Sequence, residues 1–261
     1  MESIKELRQI CQGPRKNLDS WHMKYIGRKP SIYITWLLLH TPISANQASL
    51  LVIVVSLIAA LIFMAGTKPA FLGASIVLQS WFVMDMVDGE IARYRKQTSL
   101  SGTYFDALSH YISHPLVFVG IGFGLLRNNN SFGLFLFSLL AAYSVCMITL
   151  LKDVFNSVLY ARIIKSAAPI YSRDNGGTKE EENIFKRLFS VLHLICTFPT
   201  IMNVLLIVSL LNIFTAADLM AWIVKFYAIF ATLVWIAKVF VFVKERKPDV
   251  TLNDLSQLRE E

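Results

Sequence analysis

Six long apolar runs dominate this chain, and each is long enough to cross a bilayer. A span needs roughly 20 predominantly apolar residues, and the runs fall at about 46–66, 69–92, 103–126, 131–155, 188–213 and 218–243. In hydrocarbon every backbone N–H and C=O must be satisfied inside its own segment, which restricts such runs to helices or a closed barrel. Runs of this length favour helices, so the expected fold is an all-α integral membrane protein with six transmembrane helices. The composition agrees: 55% of residues are hydrophobic and 16% charged, against about 25% charged in soluble domains. A seventh run, SIYITWLLLH at 31–40, is too short to span. With Trp21, Tyr25, Tyr33 and Trp36 around it, it reads as part of an amphipathic interfacial arm. The expected organisation is an arm at 1–43, one membrane domain at 44–243 and a polar tail at 244–261.

Charge sets the expected orientation. Six spans put both termini on one side, where 20 Lys/Arg would gather, leaving only Lys68 and Arg127 on the other. That asymmetry makes the charged side cytoplasmic, in the plasma (inner) membrane if the chain is bacterial. The net charge of +7 then serves topology and attraction to anionic lipid headgroups. Dispersed cations without an aromatic-interleaved basic module give no nucleic-acid partner. Cys11, Cys146 and Cys196 have no metal-ligand spacing and read as small buried hydrophobes. The opening MESIKELRQICQGPRKN lacks the apolar core of a secretory leader. Gly120, Gly122 and Gly124 lie in an apolar helix and predict close helix packing.

The stretch DMVDGEIARYRKQTSLSGTYFDALSHYISHP, residues 85–115, breaks the oily pattern. Asp85, Asp88 and Ala92 share a helix face, and Asp106, His110 and His114 form a second stripe with steps of four. The stretch reads as a helical hairpin with its polar residues at the cytoplasmic ends of two spans. Ionisable groups at that depth mark a functional site. The bland account is a polar helix end pairing its aspartates with Arg93, Arg95 or Lys96, which does not explain carboxylates spaced across two helices. A divalent cation does: hard oxygen ligands suit Mg²⁺ or Mn²⁺, which share their shell with substrate phosphates. Gly89, Ala92 and Gly102 leave room for a bulky ligand near the backbone, and Arg93 suits a phosphate.

These residues resemble the signature of the CDP-alcohol phosphotransferase (CDP-alcohol phosphatidyltransferase) family, D-x-x-D-G-x-x-A-R-x8-G-x3-D-x3-D. Asp85, Asp88, Gly89, Ala92, Arg93, Gly102 and Asp106 match seven of its eight fixed positions. ANQAS at 45–49 echoes the P-N-x-x-T at the start of the family's first span; Asn46 matches and either caps the helix or belongs to the substrate site. The resemblance implies a membrane transferase of phospholipid or lipid-linked glycoconjugate synthesis, and a homodimer. It would move a substituted phosphate from a CDP-alcohol to a lipid or soluble acceptor alcohol, releasing CMP. It further implies that Asp85, Asp88 and Asp106 hold metal, that Gly89, Ala92 and Gly102 line the nucleotide site, and that Arg93 steadies the donor or the aspartates.

The last signature aspartate is His110 here. An imidazole serves as a base near neutral pH and also ligates metal, but it brings no negative charge. The expectation is therefore a catalytic pair His110 and Asp106, one tight metal site, and a second site in doubt. His114 is expected to pack or hydrogen-bond. Lys152 and Asp153 either pair with each other or, through Lys152, meet an anionic acceptor; Lys225 and Lys238 are expected to snorkel. Two rivals stand: a cation-binding transporter and a catalytically silent homologue. The acidic cluster at helix ends rather than at the midplane argues against the first.

Overall fold

The computed structural model describes residues 2–15, 19, 23–165, 192 and 194–244. The loop cations Arg173, Lys186 and Arg187, Trp21 and the tail from 245 onward lie outside them. Among the described residues the structure is helical, with no strand.

Local chemistry sets the helix starts. Helix α1, Ile4–Gln12, opens with a capping box in which Ser3 and Glu6 satisfy each other's backbone N–H. A short turn at Gly13–Arg15 and one π-type turn at Met23–Gly27 lead to α2, Arg28–Leu39. Helix α3, Ala45–Phe63, has a second capping box from Ser44 and Gln47. Thr67 caps α4, Lys68–Tyr94, and Ser99 caps α5, Leu100–Asn129, which ends at Asn130 in the left-handed region. Helix α6 spans Phe132–Lys165, α7 Phe198–Phe214 and α8 Leu219–Lys244.

Five helices, α3, α4, α5, α6 and α8, are long and apolar enough to cross a membrane. Helix α7 is apolar throughout but has 17 residues. The six close into a ring: α3 packs on α4 and α5, α5 on α6, α6 on α8, α8 on α7, and α7 back on α4. The apolar interior includes Phe71, Leu78, Trp81, Phe118, Ile201 and Tyr227. Large apolar side chains such as Ile76, Leu136, Ile229 and Phe240 also cover the outside, as expected for helices facing hydrocarbon. Lipid tails remove the hydrophobic drive for helix association, so close contact of small residues carries the packing. A Cβ on Gly120 would collide with the backbone of Ala60, and one on Gly124 with the carbonyl of Phe63. Helices α3 and α5 therefore touch backbone to backbone at this end. At the other end α4 and α5, though consecutive, meet only marginally.

The N-terminal arm lies against the ring. Leu7 and Cys11 of α1 are buried with Ile32 of α2 and pack on Tyr94 of α4. Two lysines depart from each other: Lys225 sits over the Trp222 ring at 5.0 Å, while Lys238 is buried at 8% exposure. Lys238 lies on a face of α8 buried by its neighbours.

Candidate functional site

Where α4 and α5 diverge, a cavity of about 920 Å³ opens among α3, α4, α5, α6 and the start of α7. Asn46, Asp85, Asp88, Gly89, Ala92, Arg93, Gly102, Asp106, His110 and Lys152 all line it. The two helical stripes read from the sequence thus meet across one space, and α3 and α6 contribute Asn46 and Lys152.

At its centre Asp85, Asp106 and His110 bring one ligand atom each within 4.8 Å of one another. His110 Nε2 lies 3.2 Å from Asp85 Oδ1 and 3.6 Å from Asp106 Oδ1. Asp85 Oδ1 is buried, and despite His110's proximity no donor among the described residues is directed at it in hydrogen-bond geometry. A buried carboxylate oxygen without a donor needs a partner. Two carboxylates beside an imidazole form a donor set that suits a divalent cation such as Mn²⁺ or Mg²⁺, so these residues fit the metal that the signature implies.

Asp88 stands apart from this trio. It is 7% exposed, its Oδ2 accepts from Ser49 Oγ at 2.6 Å, and its Oδ1 accepts from the Gly89 amide. Ser49 occupies the position of the threonine in the P-N-x-x-T pattern, and that echo was the available signal for it. Asn46 does not cap α3: Ser44 accepts from the Gln47 amide instead, leaving Asn46 on the cavity wall. Gly89 has a functional neighbour, since a Cβ there would stand 3.1 Å from Arg93 Nη1. Arg93 makes no ion pair with the aspartates; its Nε donates to the carbonyl of Cys11 in the arm.

His110 is held from behind. Its Nδ1 lies 3.3 Å from His114 Nε2, and the Trp81 ring meets it edge-on at 5.3 Å. His114 is 6% exposed and stacks on Phe198 with centroids 3.9 Å apart, in keeping with its expected packing role. Trp81 Nε1 is a buried donor without an acceptor among the described residues, and Trp81 lines the cavity. No sequence pattern pointed to it. Asp153 accepts from Tyr111 Oη at 2.7 Å, whereas Lys152 faces the cavity.

The family model described as CDP-alcohol phosphatidyltransferase matches residues 43–234. The fold is shared with a solved structure of Mycobacterium tuberculosis phosphatidylinositol phosphate synthase with CDP-DAG bound. That likeness has a TM-score of 0.55 at 18% identity and covers 80% of this chain and 92% of that one. A second structure of that synthase, in complex with manganese and citrate, gives a TM-score of 0.54 at 19% identity, over 80% and 87% of the respective chains. No curated protein sequence matches the chain.

Proposed function

The chain belongs to the CDP-alcohol phosphatidyltransferase family, and from that premise we propose that it transfers the substituted phosphate of a CDP-alcohol to an acceptor alcohol, releasing CMP. The donor is CDP-diacylglycerol or a CDP-linked small alcohol. The observation that carries this reading is the convergence of all ten candidate residues on one cavity around a carboxylate–imidazole cluster. The solved synthase with CDP-DAG bound supports a donor of that class.

In this reading the acceptor oxygen bonds to the outer phosphorus of the donor, the bond from that phosphorus to the CMP oxygen breaks, and the acceptor proton is taken up by His110. Asp85 and Asp106, with His110 beside them and Asp88 on the same cavity wall, would hold a divalent cation, which when bound would neutralise charge on the diphosphate and on the departing CMP. The chain's own residues do the rest. Asp85 and Asp106 orient the imidazole through Nε2. Gly89, Ala92 and Gly102 keep space beside the α4 and α5 backbones. Arg93 presents its guanidinium over Gly89, and Asn46 and Lys152 contact the substrates from α3 and α6. Held in this way, donor and acceptor react within one complex.

The same reading takes α7 as a sixth span and places both termini on the cytoplasmic side with the arm at the interface. It also takes the working form to be a homodimer. Purified protein in lipid or detergent should release CMP from a labelled CDP-alcohol only with Mg²⁺ or Mn²⁺ and an acceptor, and Asp106→Asn should abolish this. No CMP release from either donor class, with a folded protein, would overturn the proposal.

A further inference from the structure

One buried carboxylate in the signature helix has no part in the reaction above. Glu90 follows Gly89 directly, yet it is fully buried and does not line the cavity. Its Oε1 accepts from Gln12 Nε2 at 3.0 Å, Arg28 Nη1 at 3.0 Å and Ser31 Oγ at 2.7 Å. Its Oε2 accepts from Thr35 Oγ1 at 2.6 Å. All four donors come from the arm. Arg28 is itself held by Asp19, with Nε 2.9 Å from Oδ2, so one guanidinium bridges two buried carboxylates. Charge-assisted bonds in a dry setting are strong, and breaking one partner leaves an uncompensated charge.

Two further contacts lead from this clasp to the cavity. The arm approaches α4 so closely at Gly27 that a Cβ there would collide with Met86. The carbonyl of Cys11 accepts from Arg93 Nε, so Arg93 is held between the arm and Gly89. The arm also brings Arg15 to the cavity wall, where its side chain is 49% exposed and 3.9 Å from Asp19.

We propose that Glu90 is a positioning residue: by gathering Gln12, Arg28, Ser31 and Thr35 it docks the N-terminal arm on the signature helix, and the docked arm holds Arg93 and Arg15 toward the diphosphate of the donor. The proposal rests on the donor-site reading given above. It makes the arm a wall of the active site in addition to a membrane contact. A purely structural Glu90 would act on the amount of folded enzyme, and so on apparent kcat; a positioning Glu90 acts on donor affinity.

The test uses the full chain with its three native cysteines. Cys11, on the arm's own α1, is fully buried where the arm docks, and burial, followed by the charge of Glu90, pushes its thiol up to about 11. Maleimide labelling of Cys11, resolved from Cys146 and Cys196 by peptide mapping, therefore reports docking without reference to activity. In Glu90→Ala, Cys11 should label at least about tenfold faster and KM for the CDP-alcohol should rise about tenfold, with kcat falling less than about threefold. Glu90→Gln, which keeps the acceptor oxygen, should recover part of both effects. If Glu90→Ala does not fold, Thr35→Val removes a single donor, and both readouts should move about threefold. Protected Cys11 with unchanged KM in Glu90→Gln and Thr35→Val would overturn the proposal, and so would exposed Cys11 with unchanged KM. A wild-type protein that folds and releases no CMP would remove the donor reading itself, and with it this role for Glu90, whatever Cys11 shows.

Discussion

Position 110, where the signature read from the sequence expects a carboxylate, carries an imidazole beside two acidic side chains. His110 Nε2 faces Asp85 and Asp106 while Nδ1 faces His114, so Nε2, beside the acidic cluster, is the nitrogen that would take up the acceptor proton in the proposed reaction. We predict that His110→Ala loses at least about 100-fold in kcat, the usual scale for a proton-transfer group, with KM for the donor changed little; steady-state kinetics decides it. Equal turnover by wild type and His110→Ala would remove the base role. The aspartates should also separate. Asp85 Oδ1 lacks a directed donor among the described residues, whereas Asp88 is already satisfied by Ser49. Asp85→Asn should therefore cost more activity than Asp88→Asn, and Ser49→Ala should lower the apparent metal affinity severalfold by freeing Asp88, measured as the Mn²⁺ concentration for half-maximal rate. The sequence announced these residues because their spacing is helical and local. It did not announce Ser49 as a partner of Asp88, because 39 positions separate them and only the packing of α3 on α4 brings them together.

Among the elements, the glycines divide into two kinds that spacing alone does not distinguish. A Cβ at Gly124 would meet the fixed backbone of Phe63, while one at Gly89 would meet only the flexible end of Arg93. Gly124→Ala should therefore lower stability by about 1–3 kcal/mol, the usual cost of overpacking, seen as a lower thermal midpoint in detergent. Gly89→Leu should keep the midpoint and raise KM for the donor instead, because the helix gains propensity while space at the site is lost. An unchanged KM in Gly89→Leu would mean that the donor does not lie against α4. Apolar run length foretold α3, α4, α5 and α8 closely and placed the end of α6 at about 155, short of Lys165. Its sixth run, from about 188, starts outside the described residues and holds a break just before α7 begins at Phe198. Run length measures greasiness and is blind to the turn at Cys196 and Thr197 that Pro199 follows.

Over the whole molecule, the arm was the least legible part. Its aromatic and cationic residues suggested a membrane surface, and they gave no sign of the clasp on Glu90, whose donors lie between 55 and 78 positions away. No periodicity links such residues; only the tertiary fold does. The rival functions part at this scale: a transporter needs a route for the cation between its two faces, and a transferase does not. Reconstituted vesicles are predicted to show CMP formation and no uptake of the divalent cation.

That glycine seam also bears on the order of events in a catalytic cycle. With one end of the helix pair sutured, the proposed reaction would have the nucleotide half of the donor retreat by the path along which it arrived. Spent CMP and fresh donor would then queue at the same doorway. CMP should inhibit competitively against the CDP-alcohol, and the cell's means of clearing CMP would then govern how fast this enzyme runs.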